Sequence, residues 1–394
     1  MSLALKNCKI LKNKLISTDV LIEKGKISKI GRIKKADREI DCDGNIILPG
    51  LIDPHVHMRE PGLTYKEGFV TGSKAALKGG VTTFLDMPNT KPPVLTVKDL
   101  QEKRKIAKKC AVNYGFHFGV SSNNLTEIKK AKNIASVKIF LNESTGNLKV
   151  DNIDIVKAVI KNTRITCFHA EESAVKTVLD IYTKYKHDHN KIYFCHISKK
   201  MEIDMKKGDA YFEVTPHHLF LTKSDEKRLK GFGLMKPGLA KKSDQNALWK
   251  GIKNKKVDTV GTDHAPHTIE EKKSKNPPFG VPGIETMLPL LLNAVNKKKI
   301  KIIDIQRLCC ENPAKIFKIK NKGKIKVGYD ADLTLVNLKG KTKIDNKSIV
   351  SKCKWSPWHG KVLKGSIEMT IVNGLVGYKQ GKFYKTHGKE VTFG

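Results

Sequence analysis

The stretch NIILPGLIDPHVH, Asn45 to His57, is an apolar run that ends in two histidines two positions apart. Side chains alternate along a strand, so His55 and His57 point to the same face. Two imidazoles on one side of a rigid strand form half of a metal site; a pair of core or surface histidines is the plainer alternative. Working outward, seven more β-rich runs end in polar residues: VTTFLDMPN (Val81–Asn89), VNYGFHFGV (Val112–Val120), SVKIFL (Ser136–Leu141), ITCFHAE (Ile165–Glu171), KIYFCHIS (Lys191–Ser198), YFEVTPHH (Tyr211–His218) and VDTVGTDHAPH (Val257–His267). Helical stretches separate most of them. In TVKDLQEKRKIAKKC, Thr96 is placed to cap, Asp99 follows three residues on, and Val97, Leu100, Ile106, Ala107 and Cys110 make an apolar stripe.

Eight strands alternating with helices predict an α/β fold, a (β/α)8 barrel. The competing arrangement is a doubly wound open sheet, but no glycine-rich phosphate loop follows the first run. In a barrel the carboxyl ends of the strands converge on one mouth, where catalysis is found. His55, His169 and Asp263, distant in sequence, become neighbours only if the strands close into a cylinder. Residues 1–48 and 325–394 read instead as short β segments, and neither end is long enough for a good core alone. The expected organisation is a composite β-sandwich from both termini beside a barrel at 49–324. The connection from Thr222 to Lys256, containing GFGLMKPGL, is the largest interruption of the rhythm, and loops of that length tend to be functional.

The 394 residues carry 75 Lys+Arg against 39 Asp+Glu, a formal net charge of +36, and 39% are hydrophobic. That apolar content supports a sizeable core and excludes a mostly disordered chain. The lysines are spread along the chain, which argues for a solvated surface rather than a nucleic-acid interface, although the field still favours small anions. The eight cysteines form no CxxC pair, the opening MSLALKNCKILKNKL has neither the apolar core nor the cleavage site expected of a signal peptide, and no stretch approaches a membrane span. A cytoplasmic protein with reduced thiols is expected.

Three further strand ends offer metal ligands: His169 in FHAEE, His196 in FCHIS and Asp263 in GTDHAPH. With His55 and His57, these are too many polar groups for packing alone, because buried imidazoles need partners. Lys138 sits in the middle of an apolar strand; a snorkelling side chain and a metal bridge made by chemical modification are both open. Arg59, two residues beyond His57, and Asn89, at the end of the second run, are candidates to receive a carboxylate. His267, four residues after Asp263, suits a ligand contact or a loop anchor. Cys195 and Glu213 hold either a further zinc ion or, as the commoner outcome, an inert thiol and its neighbour. His117, His217 and His218 read as structural.

Together PGLIDPHVHMREPG, DMPNT, KIFLNES, HAEE, CHIS, EVTPHHLFL, GTDHAPH and PGIETMLPLLL resemble the amidohydrolase superfamily, and more closely its type I dihydroorotases. The resemblance runs from about Pro49 to Asp332, and GYDADLTLVNL is similar to the family's return into its β-sandwich. It implies two zinc ions per subunit, one on His55, His57 and Asp263, the other on His169 and His196. N-carboxylysine at Lys138 would bridge them together with a hydroxide. A third zinc at Cys195 and Glu213 occurs in some relatives. The resemblance also implies that Asp263 is the catalytic base and then acid. Arg59, Asn89 and His267 match contacts to the substrate carboxylate, Pro282 and Gly283 match residues near the substrate, and Ser144 and Thr145 fall in a lid spanning Asn142–Gly146. Lys236 stands where many relatives carry arginine, and Thr145 where some carry an aromatic.

The implied reaction interconverts N-carbamoyl-aspartate and dihydroorotate, with aspartate transcarbamoylase as a candidate partner. Two alternatives carry over. One is another cyclic amidohydrolase, an allantoinase or a hydantoinase, for which Arg59 discriminates because a neutral ring needs no guanidinium. The other is a non-catalytic binding scaffold, against which the presence of Lys138 and Asp263 argues.

Overall fold

The computed structural model describes residues 1–143, 148–186 and 189–394. Five strands come first: β1 (Ser2–Leu11), β2 (Leu15–Glu23), β3 (Lys26–Ile30), β4 (Arg38–Asp41) and β5 (Ile46–Pro49). Eight follow: β6 (Leu51–Val56), β7 (Val81–Asp86), β8 (Asn113–Gly119), β9 (Ser136–Phe140), β10 (Ile165–His169), β11 (Lys191–Phe194), β12 (Tyr211–Val214) and β13 (Thr259–Val260). The last four are β14 (Leu333–Lys343), β15 (Val362–Val372), β16 (Leu375–Lys379) and β17 (Lys382–Phe383). Strands β6 to β13 pair in parallel in chain order, with helices between them. Every residue of β6 to β10 is buried, which explains why these strands read as near-continuous apolar runs rather than as alternation.

The first run divides at Gly50. Ile46–Pro49 joins the terminal sheet and Leu51–Val56 opens the barrel. Only glycine fits the crossing, because a Cβ at Gly50 would lie 2.1 Å from Thr82 Oγ1.

Between β13 and β6 the cylinder is closed by a few specific bonds. His57 N donates to His264 O at 2.8 Å beside a parallel bridge between Val56 and His264. Buried Asp53 accepts from Thr262 N at 3.0 Å and from Thr262 Oγ1 at 2.5 Å. Asp53→Ala is expected to destabilise the fold by about 3 kcal/mol, since it strands two donors at this seam. Chemical denaturation measures this, and an unchanged midpoint would show that the seam holds without the carboxylate.

Both chain ends supply one nine-stranded sheet, ordered β17-β16-β15-β14-β5-β1-β2-β3, with β4 on β1. It folds over an apolar core drawn from both ends, including Leu5, Ile22, Ile27, Leu333 and Ile371. Ala331 N donates to Gly25 O at 2.9 Å, so the β2–β3 hairpin meets the start of β14. Two segments of this terminal part return to the barrel. Residues 344–361, between β14 and β15, pack through Trp355 and Trp358 against Leu221, Met235 and Val281. The final residues lie along β8, where Tyr114 N donates to Lys389 O at 3.0 Å.

The helix Val97–Ala107 starts as expected. Thr96 Oγ1 accepts from Asp99 N at 3.1 Å, and Asp99 Oδ2 accepts from Thr96 N at 2.9 Å. Its buried face holds Lys103 as well as Leu100 and Ala107. Lys103 is tolerated there because its Nζ pairs with Asp86 at 2.6 Å and donates to Met87 O at 2.7 Å. The connection Thr222–Lys256 is largely helical, with helices at Lys223–Leu229 and Lys242–Lys253. Among the described residues no helix is long and apolar enough to cross a membrane.

Candidate metal and substrate site

Strand order brings the expected residues to one mouth. His55 lies in β6, Lys138 in β9, His169 ends β10 and Glu213 lies in β12. Cys195 and His196 follow β11, and Asp263 follows β13. Three site residues adopt left-handed backbone conformations, Arg59 (φ 62), His196 (φ 40) and Asp263 (φ 46). Such strain in non-glycine residues persists where surrounding contacts hold it and is common at functional sites. At His196 the hold is Glu213, whose Oε1 accepts from His196 N at 3.0 Å. At Arg59 it is Asp86, whose Oδ1 accepts from the preceding Met58 N at 2.7 Å.

Asp263 Oδ1 lies 2.9 Å from His57 Nε2 and 3.2 Å from His55 Nε2. His55 Nδ1 lies 2.8 Å from Glu213 Oε1, and His57 Nδ1 lies 2.7 Å from Asn89 Oδ1. Both oxygens only accept, so both Nδ1 atoms carry a proton, and both Nε2 atoms are left to face Asp263, as N–H donors without a cation and as lone pairs toward a cation when one is bound. A cation bound among them would take the place of those protons. His196 adds a buried Nδ1 with no hydrogen-bond partner among the described residues. Imidazoles with a carboxylate are the donor set of a zinc-type cation, so these residues fit one.

His196 joins the group through ring centroids 5.4 Å from His55 and 4.5 Å from His169. Lys138 is fully buried, with Nζ 2.8 Å from Cys195 Sγ and 5.1 Å from the Phe140 ring centroid. Cys195, Glu213 and His55 offer a second cluster. Glu213 is already engaged there, accepting from Tyr193 Oη at 2.8 Å as well as from His55 and His196 N. Burial pushes the Cys195 thiol well up, which keeps it protonated.

Burial raises the Asp263 carboxyl, but His55, His57 and His196 outweigh it and hold it well below the usual range. Burial takes His57 down to about 4. It also lowers Arg59 to about 10 against the pull of Asp263, Asp86 and Glu271.

A cleft lined by His57, Arg59, Asn89, Lys236, Asp263 and Phe279 opens beside these groups. Arg59 is 2% exposed and, among the described residues, forms no ion pair; its Nε donates to Pro266 O at 3.2 Å. His267 flanks it, with Nε2 3.2 Å from Arg59 Nη2. Lys236 Nζ stands 4.7 Å above the Phe279 ring and 3.8 Å from Glu143. Gly283 does not line this cleft: its N–H donates to His264 Nδ1 at 3.1 Å, with Pro282 buried beside it. Ser144 and Thr145 lie outside the described residues. His117 is held by Pro54 O at 2.9 Å and Ser136 Oγ at 2.6 Å, and His218 by Pro237 O at 3.0 Å.

Several supporting groups escaped the reading of the sequence. Glu67, fully buried, accepts from the Ser351 hydroxyl and from Lys352 N and stands 3.5 Å from His264. Trp355 Nε1 donates to His267 O at 2.7 Å. Lys272 Nζ gathers three carbonyls, Leu234, Pro278 and Gly280, at 3.1, 2.8 and 3.0 Å, and so ties the loops carrying Lys236 and Phe279. The visible signal was two of the chain's three tryptophans within WSPWHG, in an otherwise lysine-rich tail.

A model of the amidohydrolase family matches residues 46–376, and the chain belongs to that family. Among curated proteins it is similar to the dihydroorotase of Methanosphaera stadtmanae, 37% identical over 99% of both chains. It is 38% identical to the dihydroorotase of Pyrococcus furiosus, over 95% of this chain and 92% of that one. Within the amidohydrolases its family is therefore that of the dihydroorotases. Among solved structures, the L-hydantoinase (dihydropyrimidinase) of Arthrobacter aurescens superposes with a TM-score of 0.94 at 26% identity over 99% of each chain.

Proposed function

We propose that this chain is a dihydroorotase, a cyclic amide hydrolase that interconverts N-carbamoyl-L-aspartate and (S)-dihydroorotate in pyrimidine biosynthesis. The observation that carries this reading against the hydantoinase alternative is Arg59, a buried guanidinium that has no carboxylate partner among the described residues and opens onto the cleft beside Asp263. Such a group is left uncompensated unless the substrate brings an anion.

His55, His57 and Asp263 would hold one zinc ion and His169 and His196 a second. Lys138, as a carbamate, would lie between them. Its burial beside a neutral thiol, with no carboxylate in ion-pair range among the described residues, supports that modification, because an ammonium there lacks a counter-charge. The amine nitrogen adds to the carbon of carbon dioxide and releases a proton. When bound, such cations make water nucleophilic near neutral pH and polarise a carbonyl oxygen.

The chain's own residues orient the ring and carry the proton. Arg59, Asn89 and His267 receive the substrate carboxylate, which aims the ring amide at Asp263. In hydrolysis Asp263 Oδ1 accepts the proton of the attacking oxygen as the carbon–oxygen bond forms. It returns that proton to the ring nitrogen as the carbon–nitrogen bond breaks, and ring closure runs the same steps backwards. Lys236 adds positive charge at the rim without the fork of an arginine.

All eight cysteines are free and buried, which supports a reducing, cytoplasmic setting. A supplier of carbamoyl-aspartate, aspartate transcarbamoylase, is the partner this reading favours; co-sedimentation tests it. For the substrate, Arg59→Met is expected to raise KM for dihydroorotate by ~100-fold while leaving any turnover of a neutral dihydropyrimidine unchanged. Equal effects on both substrates, or preferred turnover of the neutral ring by the wild type, would transfer the chain to the hydantoinase reading.

A further inference from the structure

We infer that Lys272 is a positioning residue for substrate affinity: by gathering carbonyls from two rim loops it holds Lys236 on the Phe279 ring, so that this ammonium stands at the cleft as a second cation beside Arg59. The inference rests on the substrate reading above.

Lys272 belongs to the helix Ile269–Lys273, where the neighbouring Glu271 pairs with Lys66 at 2.7 Å. The Lys272 side chain is fully buried, and Nζ meets the Leu234, Pro278 and Gly280 carbonyls at 3.1, 2.8 and 3.0 Å. An ammonium carries three protons, so each oxygen receives one. Leu234 O also accepts from Gly280 N at 2.9 Å, which joins the two loops directly. Leu234 stands two residues before Lys236, and Pro278 and Gly280 flank Phe279. The pair supported in this way has Lys236 Nζ 4.7 Å above the Phe279 ring, and both side chains line the cleft with Arg59.

The other holds on this pair are weak or one-sided. Glu143, 3.8 Å from Lys236 Nζ, is 83% exposed, and surface pairs of that kind contribute little. His218 Nε2 holds Pro237 O at 3.0 Å, and His267 Nε2 holds Phe279 O at 2.9 Å. Without the Lys272 ammonium, the Pro278 and Gly280 carbonyls lose the donor that satisfies them, and buried oxygens in that state turn toward water. The wall under Lys236 then shifts. A lysine released from its ring spreads over many rotamers, and its charge is no longer fixed at the cleft. Asp263 and the imidazoles stand on other segments, so affinity suffers rather than turnover.

Burial lowers the Lys272 ammonium to about 7 against the pull of Glu271, with Arg59 and Lys66 adding to the fall. The test is therefore run at about pH 6, where Lys272 is charged. It is a double-substitution cycle in steady-state kinetics. Lys272→Met and Lys236→Met are each expected to raise KM for carbamoyl-aspartate ~10-fold with kcat within ~3-fold, and the double variant to raise it no more than ~20-fold, because both remove the same cation. The crystal structure of Lys272→Met is expected to show Lys236 Nζ more than ~6 Å from the Phe279 ring. Effects that multiply to ~100-fold in the double variant overturn the inference. So does Lys236→Met with KM unchanged, a rim substitution that needs no Lys272 variant to fold. Lys272→Met with Lys236 still seated on the ring overturns it whatever the substrate is. A wild type that turns over no carbamoyl-aspartate overturns the substrate reading instead, while that crystal structure still decides whether Lys272 places Lys236.

Discussion

Asp263→Asn is expected to lower kcat/KM for carbamoyl-aspartate cyclisation by ~10³–10⁴-fold, the range for removal of a positioned general acid and base. The amide nearly preserves the shape of the carboxylate, so the folded state should persist. What is lost is an anion that receives a proton within 2.9 Å of His57 and 3.2 Å of His55. Because the charge also helps hold a cation, the measurement pairs the assay with metal analysis by plasma emission. A variant that keeps its metal and loses turnover assigns the proton transfer to Asp263. Activity within ten-fold of wild type would remove Asp263 from the mechanism.

Lys138→Ala carries the second large effect. If the carbamate spans the two cations, its removal leaves imidazoles without the anion that offsets the metal charge. Bound zinc should fall below two per chain, and activity by ~10³-fold or more. A chelator should inactivate the wild type, and zinc should restore it, whereas zinc should not restore Lys138→Ala. Wild-type protein exchanged under 13C-labelled carbon dioxide should show one protein-bound carbamate carbon that the variant lacks. Full zinc content and full activity in Lys138→Ala would mean that the lysine is only packing.

The barrel was legible because its strands are short, mostly apolar runs followed by polar residues, and most of the metal candidates sit at or near those ends. Lys138 stood out for the opposite reason, as a charge inside such a run. The supporting groups were illegible because their partners lie far along the chain. Lys103 falls on the apolar stripe of its helix, and only Asp86, at the end of another strand, makes that position tolerable. Asp53 reads as one more polar residue in the first run until Thr262 closes the cylinder against it. Glu67 and Ser351 meet across 284 positions. The terminal sheet was foreseen as a β unit, but its return to the barrel through residues 344–361 follows from the fit of Trp355 and Trp358 into a pocket that no local pattern describes.

By itself, the order of residues determined the alternation of strand and helix, the face on which His55 and His57 lie, and the types of ligand available. These depend on neighbours within a few positions, where backbone periodicity is fixed. Only the tertiary structure decided which groups meet around Asp263 and that Arg59 lacks a counter-ion among the described residues. Those outcomes depend on distances between segments that meet only after the cylinder closes, and a shift of an ångström changes which atom donates and which accepts.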